Sequence, residues 1–330
     1  MPDSTLGQPG RGPEDYDGTT YYGRSPLKQA PFENSVVGGY IFLAGLSGAA
    51  QVIATLADLI RPARRPGLVR GGRYISLLAP VLGAPLLIYD LHTPQRFYNM
   101  LRIFRRTSPM SVGTWILMGF SGFAGLTAML QFLSDRLGGQ RWFGRAARAT
   151  QVPAALAGAG LATYTASLLS ATSTPLWAAA PRALAMRFGA SSMAAGAAAL
   201  ALGERLAGRR ETAEDLDTLA VAALAAELVA TVISRHSYAE RGISAASKSP
   251  QAITEMIAAE GGGIALPIAL KVASGLFGRG GPALGTLGSL AILGGSLALR
   301  IGVMAEGDES ALRPGDSFRF AKPRNLRGIS

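Results

Sequence analysis

The stretch Val112-Gly-Thr-Trp-Ile-Leu-Met-Gly-Phe-Ser-Gly-Phe-Ala-Gly-Leu-Thr-Ala-Met-Leu-Gln-Phe-Leu-Ser134 contains no charged side chain and no proline. A bilayer core of about 30 Å is crossed by roughly 20 residues of helix, so a run of this length and apolarity reads as a membrane span. Seven more stretches meet or approach that length: 35–59, 74–91, 150–170, 183–203, 217–234, 260–277 and 282–304. They predict an all-α, multi-pass integral membrane protein with about eight transmembrane helices in a bundle over residues 35–304. Polar tails flank it at 1–34 and 305–330. The first lacks the basic stretch and short apolar run of a cleavable signal and is expected to be a retained, loosely ordered tail. The fourth to sixth stretches are alanine-rich, and a soluble helical hairpin is the alternative there.

The bulk numbers agree. Of 330 residues, 48% are hydrophobic but only 7% aromatic, and the mean hydropathy is +0.25. Alanine and 42 glycines supply much of that apolarity, as expected where helices approach closely through small residues in lipid. The net charge of +11 is gathered in short clusters between apolar runs, which fits topology-setting loops and not nucleic-acid binding. Thirteen arginines fall in 60–73, 135–149, 204–216 and at Arg279. That side is expected to be cytoplasmic, with both termini and the loops 92–111, 171–182 and 235–259 facing outward. There is no cysteine, which excludes disulfides and any thiolate zinc or iron–sulfur site on this chain. His92 and His236 are the only histidines and fall at loop or helix-end positions, against a bis-histidine haem. No resident metal is expected.

The loop after the second span is unlike a generic linker: Tyr89-Asp-Leu-His-Thr-Pro-Gln-Arg-Phe-Tyr-Asn-Met-Leu-Arg-Ile-Phe-Arg-Arg-Thr-Ser-Pro-Met-Ser111, then Val-Gly-Thr-Trp115. Asp90 can pair with Arg96, and Thr107-Ser108-Pro109 can open the third helix with hydroxyl caps. Capping leaves Arg96, Arg102, Arg105 and Arg106 unexplained on the side where cations are sparse. A docking surface for an acidic partner, with Asp90 at its edge, accounts for them.

This loop resembles the NrfD (polysulfide reductase) family pattern of Asp-Leu-Gly-Arg-Pro, Arg-Phe, Thr-Ser-Pro-Met-Ser, Gly and Trp. Two further pieces fit: Tyr21-Tyr22-Gly23-Arg24 before Phe42-Leu-Ala-Gly-Leu-Ser-Gly48, and Tyr164-Thr-Ala-Ser-Leu-Leu-Ser-Ala-Thr172 leading to Pro175-Leu-Trp177. His92 and Thr93 depart from the family's Gly and Arg, and past residue 200 the resemblance is diffuse. It implies a membrane anchor, not catalytic alone, that passes electrons between a quinone, often menaquinone, and a four-cluster ferredoxin-like iron–sulfur subunit attached to a molybdopterin catalytic subunit. The rival readings are a secondary transporter, for which the chain lacks a convincing repeat of broken helices, and a passive anchor without a quinone site.

Individual residues sharpen the expectation. A carboxylate at the bilayer centre costs on the order of 3 kcal/mol, so Glu227 calls for a partner, a proton or a cavity. Counted at about 1.5 Å per residue, Glu227 lies about 12 Å and Tyr164 about 10 Å below the outward face, close enough in depth to line one quinone pocket. Tyrosine would donate to a quinone carbonyl and glutamate would take the quinol proton. Asn34 and Tyr40 can extend that pocket and His236 can relay the proton outward. The plainer alternatives are interhelical bonding for Glu227, core packing for Tyr164, helix capping for Asn34 and a helix-dipole contact for His236. Lys271 and Arg300 are expected to snorkel, and Trp115 and Trp177 to sit in the interfacial belt. Gly38-Gly39, Gly45-x-x-Gly48 and Gly158-x-Gly160 read as helix-packing sites and not nucleotide loops, since no strand accompanies them. Pro80 and Pro85 should bend the second helix, and Gly261-Gly262-Gly263 with Pro267 should loosen the seventh.

Overall fold

Eight helices in the computed structural model are long and apolar enough to cross a membrane. They are α1 Asn34–Ile60, α2 Pro66–Tyr89, α3 Pro109–Arg136, α4 Arg141–Ser170, α5 Pro181–Leu206, α6 Arg210–Glu240, α7 Ile253–Ala273 and α8 Ala283–Ala311. The structure describes residues 27–28, 33–62, 64–91, 94–137, 141–244, 250–277 and 282–322, without the side chains of 250–252, 274–277 and 282. Most of the expected N-terminal tail, His92, Thr93 and Arg279 lie outside the described residues. All eight expected spans are present, and the described residues hold no strand.

The helix starts follow from local chemistry. Pro66, Pro109 and Pro181 occupy first-turn positions, where the missing N–H leaves nothing unpaired. Ser108 caps α3, its hydroxyl accepting from the Ser111 N–H at 3.4 Å. Pro80 cannot donate within α2, and the helix widens to a π turn over Ala79–Gly83 while the Ala79 N–H is taken by Ser47 Oγ at 2.9 Å. A second π segment, Ile257–Ala265, spans Gly261-Gly262-Gly263.

Successive spans alternate in direction, so Asn34, Tyr89, Pro109, Ser170, Pro181, Glu240 and Ala311 lie at one end of the bundle, here the terminal face. The opposite end is the arginine face. α1 is central and packs on α2, α4, α5 and α8. Close approach is achieved with hydrogen side chains: a Cβ on Gly48 would overlap the Gly158 carbonyl of α4, and Gly263 meets Gly295 where α7 crosses α8. Phe123, Leu126, Met129 and Phe132 on α3, and Val229 and Val232 on α6, are exposed as lipid-facing side chains should be.

Four expectations change. α6 runs to Glu240, six residues past the expected end. α8 runs to Ala311, seven residues past the expected end, and a further helix covers Pro314–Phe320. Arg300 does not snorkel but is buried at 1% exposure, because three serine hydroxyls and two backbone carbonyls replace its water. Trp177 is likewise buried, not interfacial: it packs on Gly307, and its Nε1 donates to the Val303 carbonyl at 2.7 Å.

The arginine face is more evenly paired than its sequence suggests. Asp58 accepts from Arg148 at 2.8 Å and from Gln151 at 2.7 Å, with Arg73 at 3.4 Å. Arg73 and Asp58 are both about 5% exposed, so Arg73 is an interior residue and not a loop cation. Arg65 pairs with Asp215, Arg205 with Asp217, and Arg209 with Glu204.

Candidate functional site

A cavity of about 430 Å³ opens at the terminal face between α1, α4, α8, the start of α3 and the short helix Pro175–Ala179. Its wall joins apolar side chains, among them Ile41, Met110, Leu169, Trp177 and Met304, to the polar Lys28, Tyr40, Thr165, Thr172, Ser173 and Thr174. The size and lining suit a small organic ligand held by few polar groups. Thr165 is 5% exposed, and its hydroxyl is buried without a hydrogen-bond partner among the described residues. A buried, orphaned hydroxyl is costly unless a ligand or water meets it.

Each wall residue is placed by its neighbours. Tyr40 and Thr165 sit on inner faces of α1 and α4, held together by the Gly48–Gly158 crossing below them. Trp177 is fixed by its bond to Val303 and by Gly307, where a Cβ would lie inside the indole. Thr165 and Trp177 were not singled out chemically from the sequence, although both stand in the Tyr164–Trp177 motif.

Tyr164 lies behind this wall. Its ring rests against Gly113 and its hydroxyl donates to the Pro109 carbonyl, and it interacts electrostatically with Tyr40. Asn34 begins α1 with a buried Oδ1 that has no partner among the described residues. Asp90 does not pair with Arg96 among the described residues: its Oδ1 accepts from the Glu33 N–H at 3.2 Å, tying the α2 end to the α1 start.

Glu227 and His236 stand elsewhere. With α6 ending at Glu240, Glu227 is thirteen residues in, about 20 Å at 1.5 Å per residue, whereas Tyr164 is about 9 Å from the end of α4. Glu227 faces Arg187, Arg300 and Ser191, in a group separate from Tyr40 and Tyr164. His236 is exposed, with Nε2 3.1 Å from Glu240 one turn on.

At the same terminal face, the loop after α2 folds as a 3₁₀ turn Pro94–Arg96, a short helix Asn99–Arg102 and an extended piece. Ser111 pins it, accepting from the Arg105 N–H at 3.0 Å and donating to the Ile103 carbonyl at 3.1 Å. Phe104 packs edge-on to Trp115. Arg96, Arg102, Arg105 and Arg106 are exposed, interleaved with exposed Phe97, Tyr98 and Ile103.

Among the described residues no group of histidine and carboxylate side chains could hold a metal ion. No curated protein matches the chain. The family model described as polysulphide reductase, NrfD, matches residues 27–309. The chain therefore belongs to the NrfD family, the membrane subunits of molybdopterin oxidoreductase complexes.

Proposed function

We propose that this chain is the quinone-site anchor of a molybdopterin/iron–sulfur complex in the cell inner membrane, exchanging electrons between menaquinone in the 430 Å³ cavity and an iron–sulfur subunit docked beside it. The observation that carries the reading is the orphaned Thr165 hydroxyl in a wall that sets apolar side chains beside a few polar ones, Tyr40 among them. A quinone supplies two-electron, two-proton redox chemistry. Thr165 and Tyr40 supply O–H donors for its carbonyl oxygens, and the apolar side chains exclude water from the ring. Tyr164 positions Tyr40 and the start of α3, and the Asn34 amide lies at the head of the helix that carries Tyr40.

The four exposed arginines of the loop favour an acidic partner surface on the face where the cavity opens. The reading puts the terminal face outside the cytoplasm, because arginine is denser in the short loops of the opposite face. A density map of the complex in native lipid tests it. A flat ring against Thr165 and Trp177 is expected, and lipid acyl chains there in a preparation shown to contain menaquinone would count against it.

A further inference from the structure

We infer that Glu227 is a proton-binding carboxylate served from the terminal face by a buried hydroxyl stripe on α6, through a second cavity distinct from the one lined by Tyr40. Glu227, Thr231, Ser234 and Tyr238 recur at steps of four, three and four, so they lie on one face of the helix. Their exposures are 3%, 1%, 1% and 6%. Tyr238 lines a cavity of about 350 Å³ at the terminal face together with Arg187, Arg235, Glu255, Glu260 and Glu306. The Tyr238 and Ser234 side chains interact, and Ser234 donates to the Ala230 carbonyl at 2.9 Å. The Thr231 hydroxyl, between Ser234 and Glu227, is buried with no partner among the described residues. It is the place in the stripe where a water or a transferred proton completes the chain.

Glu227 is not locked in an ion pair. Arg300 faces it from α8 and Arg187 from α5, yet the Arg300 Nη donors are committed elsewhere, and its buried Nε has no hydrogen-bond partner among the described residues. Nη1 bonds Ser191 Oγ at 2.9 Å and Ser296 Oγ at 2.7 Å, and Nη2 bonds Ser192 Oγ at 2.9 Å. Among the described residues, no salt bridge reaches Glu227. Arg187 and Arg235 are both directed to Glu260 of the π segment, at 3.4 and 2.7 Å. The charged groups facing Glu227 are thus Arg187, Arg300 and Glu260, and those facing Tyr238 are Arg187, Arg241 and Glu306. A buried carboxylate in the field of guanidiniums that do not bond it can exist with or without its proton.

Access is one-sided. Toward the arginine face, the inner side of α6 continues with Leu224 and Ala220, packed on Leu200, Ile264 and Ile292 in a dry core. The next acid–base group along α6 in that direction is the half-buried Asp217, held by Arg205, about 15 Å away along the helix.

The test uses the full chain in lipid nanodiscs without quinone, with isotopically labelled glutamate, so its outcome does not depend on the quinone reading. Infrared difference spectra between acid and neutral pH are expected to show the carbonyl stretch of a neutral carboxylic acid, shifted in D₂O and absent in Glu227→Gln. Tyr40→Phe should leave the band in place. Thr231→Val, of the same shape, should slow hydrogen–deuterium exchange of that band about tenfold, the effect of one lost hydrogen bond on a barrier. The inference is overturned if no such band responds to pH while the protein stays folded, if the band survives in Glu227→Gln, or if Thr231→Val exchanges at the wild-type rate.

Discussion

The Trp177 indole lies against Gly307 so closely that the glycine hydrogen occupies the only space a side chain could use. With the bond from Nε1 to Val303, this contact makes the wall of the Tyr40 cavity an extension of α8. Gly307→Ala is expected to force the ring outward, lowering stability by about 1–3 kcal/mol. Thermal unfolding in detergent reads the change. Gly119→Ala, where a Cβ meets nothing within 4 Å, should leave the Tm unchanged.

At the arginine face, Asp58→Asn leaves Arg73 buried without its charge partner. A loss of about 3–5 kcal/mol is expected, the range for breaking a buried pair from one side. Arg148→Ala should cost less, since Arg148 is half exposed and Asp58 keeps Arg73 and Gln151. Equal Tm values for the two variants would show that the network does not stabilise the bundle.

Charge reversal at Arg102, Arg105 and Arg106 is expected to release the iron–sulfur subunit during purification, more completely as salt rises. The same orientation argument expects a reporter fused after Ser330 to be active outside the cytoplasm. Full co-purification of the triple variant at moderate salt would return this loop to a purely structural role.

Beyond the last span, Asp316 is buried and its pKa is pushed up from 3.8 to about 6, chiefly by burial, with Arg313 and Arg319 opposing and Glu309 adding to the shift. The folded state therefore holds the Asp316 proton more tightly than the unfolded state. Its contribution to stability is fully present below about pH 3.8 and is lost as pH rises through about 6. Amide exchange in 314–320 should be faster at pH 7 than at pH 5 after correction for intrinsic rates. Asp316→Asn should remove that difference.

Much of the architecture was legible because lipid imposes it. Runs such as 112–134 have no other stable home, and Ser108-Pro109 announces a helix start by its own chemistry. Depth was not legible, because Ser234-Arg235-His236 reads as an interface while the helix continues to Glu240. That error placed Glu227 level with Tyr164. Nor could the sequence show that Arg300 is interior, since the serines that solvate it come from 191, 192 and 296 and meet only in the packed bundle. Thr165 stood inside a recognised motif, but its missing partner is a property of the cavity.

The central claim is that a quinone ring binds against Thr165 and Trp177. Fluorescence of a variant keeping Trp177 but carrying Trp115→Phe and Trp142→Phe, titrated with a short-chain naphthoquinone, tests it most directly. Saturable quenching is expected, with Kd raised about tenfold by Thr165→Val, the equivalent of one hydrogen bond. A protein keeping only Trp142, which is 67% exposed at the opposite face, should show non-saturable quenching by quinone dissolved in lipid. Quenching of Trp177 that is equally non-saturable and indifferent to Thr165→Val would contradict the account.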